Sequence, residues 1–538
     1  MEFKLTADYV FIGGPVITAD KKNSVQTGLA VKGNEILFVG DEADAKKLIG
    51  EETKVIDLAG RSLVPGFIDS HLHMGVMGAN SLAIDCRSPG VSSIEDIKKL
   101  IAERAKITPK GQWIRGWGYD HSKLAEKRHP NRWDLDEAAP DHPVMLTRVC
   151  AHISAHNSKS LEIMGITDES EAPPGGVYMR ENGHVNGVLL EYAHMQAMKA
   201  SMLTKEELLN AIELANDMLV KEGITSLHDS GGYGFVQMGA FQDAAEQKRL
   251  KVRVYSMIFS FVENLDFNNT YLGIGLHTGF GNERFKIGPA KLMIDGSSSG
   301  PTAATLKEYA SDPGNYGILS MKPEDVDEFV LRAHKAGFQV TSHAVGDRAV
   351  TVIVDAIEKA MKAFPRENCR HRIEHCAMIN DELLERIKAL GIVPILNPIF
   401  LYEFGDGYMV NYGKERAYRM FAAKSFLDKG VLAAGSSDCP ITFSNPILNM
   451  HLACNRTTQT GQVLNKKECI GVMDALRMFT YNGAYASFEE DIKGTLEEGK
   501  LADLVVLSED LTKVKPERLK DVVVDMTFID GENVYERK

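Results

Sequence analysis

No apolar run in this 538-residue chain approaches the roughly 18–20 residues needed to cross a bilayer, so no membrane span is expected. The opening residues MEFKLTADYVFIGG alternate charged and apolar types and lack the apolar core of a secretory leader. Cysteine is scarce. Its seven copies are odd in number and scattered without a Cys-x-x-Cys pair, which argues against a disulfide framework and for free thiols in a reducing cytoplasm. Positive charge is in deficit: 61 Lys and Arg stand against 74 Asp and Glu, giving a net charge of −13, which argues against a nucleic-acid partner. Repeat arrays and low-complexity tracts are also missing. What remains, 44% hydrophobic and 25% charged residues, is the composition of a globular protein long enough for one large domain with appendages or for two to three domains.

The two ends of the chain are β-rich. ADYVFIGGPVITAD, TGLAVKGNEILFVG and TKVIDLAGRSLVPG read as short strands, with a hairpin turn at Lys32-Gly33-Asn34-Glu35. GTLEEGKLADLVVLSED and VVVDMTFIDGENVYE near the C-terminus look alike, and each end alone is too small to bury a sheet face. One all-β unit shared by residues 1–63 and 491–538 is the economical reading.

Between them, residues 64–490 alternate short apolar strands with helical stretches. Strands are expected at Val64–Met74, Gly223–Asp229, Lys251–Ile258, Ala290–Gly296, Phe338–Asp347, His371–Cys376, Ile392–Pro398 and Val431–Pro440. Helical patterns such as TKEELLNAIELANDMLVKEG and KPEDVDEFVLRAHKAG stop at Gly, as helices do. Eight such units predict an α/β fold of the (β/α)8 TIM-barrel type, whose chemistry sits at the strand C-terminal ends. The gap at residues 76–220 after the first strand is too long for a connection and predicts an inserted cap subdomain over the barrel mouth.

Polar residues collect at the expected strand ends: His71 and His73 on the first, Lys291 on the fourth, His343 on the fifth, His375 on the sixth and Asp438 on the eighth. In VPGFIDSHLHM, Asp69, His71 and His73 alternate, and a strand turns alternate residues to one face. Imidazole and carboxylate donors suit Zn²⁺ or a similar divalent ion. Each residue also has a plainer role: a hydrogen-bonded core histidine, a snorkelling surface Lys291, an Asp438 that caps a turn. Their joint occurrence, in order and on the expected strands, favours the metal site.

VPGFIDSHLH, AKLMIDGS, SHAVGDRAV, HRIEHC, AAGSSDCP and MDALRMFTYNGAYASF with KGTLEEGKLADLVVL together resemble the amidohydrolase superfamily. More narrowly they resemble the amidohydrolase-3 group, which includes N-substituted formamide deformylase. The resemblance covers nearly the whole chain, including GWGYDHSKL and AHISAHNS in the insertion. It implies a small β-sandwich built from both termini and a metal-dependent hydrolase barrel. It makes His71 and His73 first-metal ligands, Lys291 a carboxylated bridging ligand, His343 and His375 second-metal ligands, and Asp438 a ligand and general base. Subgroups bind one ion or two. The chain departs from the group at Cys150, which precedes Ala151-His152, and at Asn397, where Gln is more usual; both lie where substrate contacts are expected.

The expected chemistry is hydrolysis of a C–N bond in a small amide-type substrate, an N-substituted formamide or other N-acyl compound. Asp438 takes the proton of a metal-activated water, and His152 stabilises the oxyanion. The plainer reading of AHISAHNSKSL is the start of a helix with Ser154 or His156 on a solvated face. Tyr119 and Asp120, with Trp113 and Trp117, would line a pocket for an apolar N-substituent; alternatively these aromatics are the core of the insertion. Deamination and lactam or ester hydrolysis share the fold. Two rival classes are a serine hydrolase built on the G-x-S-x-G match at Ser298 and a non-catalytic ligand-binding barrel. A homo-oligomer is compatible with the sequence.

Overall fold

The computed structural model describes residues 5–149, 153–173, 176–261 and 264–538. Eight parallel strands form one sheet in sequence order: β1 Phe67–Leu72, β2 Ile224–Asp229, β3 Arg253–Ile258, β4 Phe285–Met293, β5 Val340–Ala344, β6 Arg372–His375, β7 Val393–Leu396 and β8 Ala434–Gly435. β1, β2, β3, β6 and β7 are buried at every residue, as a parallel strand enclosed on both faces must be. The barrel closes just beyond the strand ends. There Asp438 N–H donates to His71 O (2.8 Å) and His73 N–H donates to Cys439 O (2.8 Å).

The helices around this sheet carry the signals that start and face them. Thr204 and Glu207 form a reciprocal capping box at the head of Lys205–Lys221. Helix Asp347–Ala363 turns Val350, Ile353, Val354 and Ile357 to the core at helical spacing. No helix among the described residues is long and apolar enough to cross a membrane.

The expected first strand, Val64 to Met74, is two strands. Leu63–Pro65 pairs antiparallel with Leu504–Val506 in a six-stranded sheet that unites both ends of the chain, and β1 begins only after Gly66. That sheet and a four-stranded one, ordered Glu35–Gly40, Gly28–Lys32, Tyr9–Ile12 and Lys54–Asp57, enclose Phe11, Leu29, Leu63, Leu504 and Phe528 as the sandwich core. The all-β unit therefore runs to Pro65. At Lys32–Glu35 the hairpin turns on Gly33-Asn34, with Gly33 at φ 59°.

The insertion is narrower than residues 76–220. Helices Met74–Leu82 and Lys205–Lys221 pack their Met74, Met77, Leu208, Ile212 and Leu219 side chains into the barrel's hydrophobic cluster. Between them lies a separate six-stranded sheet, from Ile84–Asp85 to His184–Glu191, with its own core of Ile97, Ile101, Ile114, Tyr119 and Leu146.

Candidate functional site

Strand ends supply the site, but regular alternation does not aim all of its residues. β1 stops at Leu72, and His73 caps helix Met74–Leu82 with φ −111° and ψ 79°. His375, Cys376 and Asp438 hold left-handed backbones, with φ of 69°, 40° and 60°. Strand alternation would place His375 on the face opposite Glu374; the change of backbone hand ends β6 and turns the imidazole to the barrel axis. Strain of this kind in non-glycine residues gathers where geometry is imposed by function.

The imidazoles form a chain. Ring centroids lie 5.5 Å apart for His73 and His71, 4.9 Å for His71 and His375, and 4.6 Å for His375 and His343. Asp438 Oδ1 sits 3.2 Å from His71 Nε2 and 3.5 Å from His73 Nε2. These three buried residues bring donor atoms within 4.8 Å of one another, close enough to hold one cation. Lys291, which is buried rather than snorkelling, donates to Ser230 O (3.2 Å) above the Phe259 ring and feels the charges of Glu374 and Asp438.

The outer nitrogen of every one of these imidazoles is anchored. His71 Nδ1 meets Glu374 Oε2 at 2.5 Å, His73 Nδ1 meets Gly231 O at 2.7 Å, His343 Nε2 meets Gly296 O at 3.1 Å, and His375 Nδ1 meets Asn397 Oδ1 at 2.8 Å. All four partners are oxygen acceptors, so each must receive the ring N–H. That assignment leaves one lone pair per histidine, at Nε2 of His71, His73 and His375 and at Nδ1 of His343. Metal-ligating histidines have this arrangement, in which an outer acceptor fixes the tautomer and the aim of the inner nitrogen. The donor set therefore fits one or two divalent ions.

Charge fits as well. Burial raises the Asp438 carboxyl, but the His71 and His73 imidazoles outweigh burial and hold it well below the usual carboxylate range. Burial and the Lys291 amine oppose a charge on His71, yet Glu374 and Asp438 raise it. Burial pushes Lys291 down to about 8 and His343 down to about 4.

Several expected contacts lie elsewhere. Asn397 is fully buried: its Oδ1 accepts from His375 Nδ1 at 2.8 Å and its Nδ2 donates to Ser436 Oγ at 2.9 Å, so it holds the His375 ring in place. Tyr119 is buried in the insertion core with its hydroxyl 3.0 Å from His129 Nδ1. Asp120 Oδ1 accepts from Ser122 and from Arg148 Nη2 (3.1 Å), tying its own loop together. Of the aromatics, Tyr119 packs in the insertion core, whereas Trp113 and Trp117 are half-buried outside it. Asp69 accepts from the backbone N–H groups of His71 and Ser437, both at 3.1 Å, and so ties β1 to the loop after β8. His152 and Cys150 fall outside the described residues. Ser154 and His156, expected on a solvated helix face, are buried on strand Ile153–His156.

Two other clusters prove to be structural. Ser298 bonds Tyr408 OH at 2.8 Å, no helix follows its loop directly, and no described histidine reaches its hydroxyl, so the nucleophile-elbow frame is missing. His334, Cys369 and His371 also lie within donor range of one another. Val340 N–H donates to His371 Nδ1 (2.9 Å), which leaves His371 Nε2–H to donate to His334 Nδ1 (2.9 Å) and His334 Nε2–H to donate to Phe364 O (2.7 Å). Both inner lone pairs are thereby spent, and the relay pins helix Pro323–Lys335 to the base of β5 and β6.

Sequence reasoning missed Glu374, whose carboxylate accepts from His71, Thr341 Oγ1 (2.6 Å) and Arg372 Nε (2.9 Å) with no exposure to solvent. Its signal was an Arg and a Glu two residues apart in an apolar strand, hence on one face and able to pair. It also missed Asp229, which accepts from Met74 N–H (2.9 Å) and Gly231 N–H (3.1 Å) and so shapes the backbone that holds His73.

Comparison with known proteins agrees with this geometry. Residues 54–535 match the model of a family described as the amidohydrolase family. N-substituted formamide deformylase of Arthrobacter pascens is 27% identical over 98% of this chain and 98% of its own. Protein LONG AFTER FAR-RED 3 of Arabidopsis thaliana is 29% identical over 99% and 92%. A crystal structure described as an uncharacterized metal-dependent hydrolase from Pyrococcus horikoshii OT3 superposes with a TM-score of 0.80 at 28% identity, covering 94% of this chain and 99% of that one.

Proposed function

This chain belongs to the amidohydrolase family, and from that premise we propose that it hydrolyses the C–N bond of an N-substituted formamide or other small N-acyl compound with the help of one or two divalent ions, Zn²⁺ foremost. The observation that carries the reading is the set of four buried histidines, each with its outer ring nitrogen on an oxygen acceptor, the inner nitrogens of His71 and His73 facing Asp438 Oδ1 at 3.2 and 3.5 Å. His71, His73 and Asp438 would hold one ion, and His343 and His375 a second. Lys291 would bridge them as a carbamate, formed when its neutral amine adds to CO2 and releases a proton; a buried amine pushed down to about 8 supplies that neutral form near neutral pH. A bound divalent ion supplies Lewis acidity that brings the pKa of water toward neutrality.

Asp438 accepts the proton of the attacking water and returns it to the leaving nitrogen, so the amine departs neutral. Its depressed pKa keeps it a carboxylate before the reaction, and its place beside His71 and His73 puts it at the reacting centre. His152 is assigned to the oxyanion of the tetrahedral adduct. Phe261 lies 5.3 Å from the His73 ring, and Phe400 stacks on His375 at 5.8 Å with Phe404 beyond it. These aromatic walls support an apolar N-substituent. The six described cysteines are all free, in keeping with a reducing cytoplasm.

Elemental mass spectrometry on protein purified without chelator, followed by a panel of N-substituted formamides and acylated amines, tests the reading. One or two metal equivalents, lost when His71 and His73 become Ala, and formate or carboxylate release from the panel are expected. Protein that stays metal-free after incubation with Zn²⁺, Co²⁺ or Mn²⁺ would overturn it.

A further inference from the structure

Of the four anchored histidines, three rest on neutral oxygens: His73 on the Gly231 carbonyl, His343 on the Gly296 carbonyl and His375 on the Asn397 amide. His71 alone hydrogen-bonds a carboxylate, and its contact is the shortest of the four at 2.5 Å; His343 Nε2 has the Asp295 carboxylate only at 3.5 Å, beyond its 3.1 Å contact with Gly296 O. Glu374 is itself immobilised. Arg372 on the same strand donates to both of its oxygens (2.9 and 3.1 Å), and Thr341 Oγ1 donates to Oε1 at 2.6 Å. Arg372 is braced in turn by His228 Nδ1 (2.8 Å) and Ser70 O (2.7 Å). Arg372 and Glu374 are fully buried, so the whole assembly forms a rigid polar floor beneath His71.

We propose that Glu374 is a positioning residue that ranks the two halves of the metal centre. By holding the His71 N–H on a fixed carboxylate, it makes the His71–His73–Asp438 half the tighter cation site and leaves the His343–His375 half the weaker. A charge-assisted hydrogen bond pulls the Nδ1 proton toward the carboxylate, pushes electron density to Nε2 and strengthens that nitrogen as a donor; a carbonyl or amide does so less. The inference rests on the metal-site reading above and adds an order of loading to it. The first ion enters the half built from β1 and the loop after β8.

The test is a competitive titration of the metal-depleted enzyme with Zn²⁺ against a chromophoric chelator. Glu374→Gln keeps the shape and removes the charge, and is expected to weaken the tighter class of site about 10- to 100-fold, the usual cost of losing an outer partner of a metal-bound histidine. Asn397→Leu is expected to weaken only the other class. Unchanged Zn²⁺ affinity in folded Glu374→Gln, or loss of the tighter class in Asn397→Leu, would overturn the ranking. A wild-type enzyme that takes up no Zn²⁺ at all would instead overturn the metal-site reading, so the two failures are distinct. Should Glu374→Gln not fold, nitrogen-15 NMR of histidine-labelled wild-type protein still decides: the His71 Nδ1 proton must be present and shifted far downfield, and a His71 carrying its only proton on Nε2 would sink the proposal.

Discussion

Gly66 separates the sandwich strand from β1, and replacing it by Ala tests whether close packing at that joint sets the position of His71. A Cβ there would fall 2.2 Å from Thr225 Oγ1, 2.5 Å from Thr225 Cγ2 and 2.8 Å from Thr225 Cβ. Rotation of Thr225 about χ1 moves the first two atoms but not the third. Because Thr225 is buried beside β1 in the β1–β2 pair, the strands must part by a few tenths of an ångström. Overpacking of this kind costs about 1–3 kcal/mol. Parting also stretches Gly66 N–H to Asp503 O (2.8 Å) and Phe67 N–H to Gly223 O (3.0 Å), each worth about 1 kcal/mol. Gly66→Ala should therefore lose about 2–4 kcal/mol in urea unfolding, together with part of its bound metal. The second change Thr225→Gly removes all three contacts and should return most of the loss, less the ~1 kcal/mol that a strand glycine costs. A single variant within about 0.5 kcal/mol of wild type, the range of an ordinary surface change, or a double variant no better than the single, would refute the argument.

Asp438→Asn, assayed after loading with excess metal, should lose about 10²- to 10⁴-fold in kcat, the usual contribution of a general base; wild-type turnover in that variant would remove Asp438 from the proton transfer. Arg253 grips Asp503 through two bonds of 2.8 and 2.9 Å where the barrel meets the sandwich, and both side chains are almost fully buried. Arg253→Met strands a buried carboxylate and should cost about 3–5 kcal/mol, while the pair Arg253→Met with Asp503→Leu should recover much of it; strictly additive losses in that double-mutant cycle would argue against the clasp. His156 is buried between Ser154 and Ser160 hydroxyls, and burial, assisted by His194, pushes it down to about 3. The folded histidine stays neutral below its unfolded pKa of about 6.5, so the unfolded chain binds the extra proton and stability falls as pH drops from about 6.5 toward 3. Denaturation curves across that window should show His156→Asn with a slope shallower by about 1.4 kcal/mol per pH unit, and an unchanged slope would contradict the burial argument.

The barrel was legible because parallel strands buried on both faces leave continuous apolar runs, and because polar residues at their ends interrupt those runs at one level. Six candidate positions on five strands came from that pattern alone, and the ring distances among the histidines follow it. Boundaries were less legible. Val64 to Met74 reads as one strand, yet Gly66 lets the chain leave one sheet and enter another, a change of partner that local sequence does not record. β8 shrank to Ala434–Gly435 because the residues after it hold the barrel closed through single backbone bonds and a left-handed Asp438 rather than a ladder. Asn397 was placed with the substrate because it stands where the resemblance has Gln, and Tyr119 because it lies among the aromatics of GWGYDHS; neither feature records the partners that folding brings. Adjacency in sequence says nothing of what a side chain meets three strands away.

The sequence by itself determined the alternation of strand and helix, the sharing of a β unit by both termini, and the residue types that a metal site needs. Those are properties of local pattern and composition, readable from periods of two and 3.6 residues. Tertiary structure alone decided which nitrogen of each imidazole is tied to an outer acceptor. That choice depends on acceptors supplied by other strands and loops: Glu374 for His71, Gly231 for His73, Gly296 for His343 and Asn397 for His375. An isolated imidazole has two nearly equivalent tautomers. Only a folded barrel, by burying one N–H against a fixed oxygen, selects between them and turns four histidines into a directed set of lone pairs.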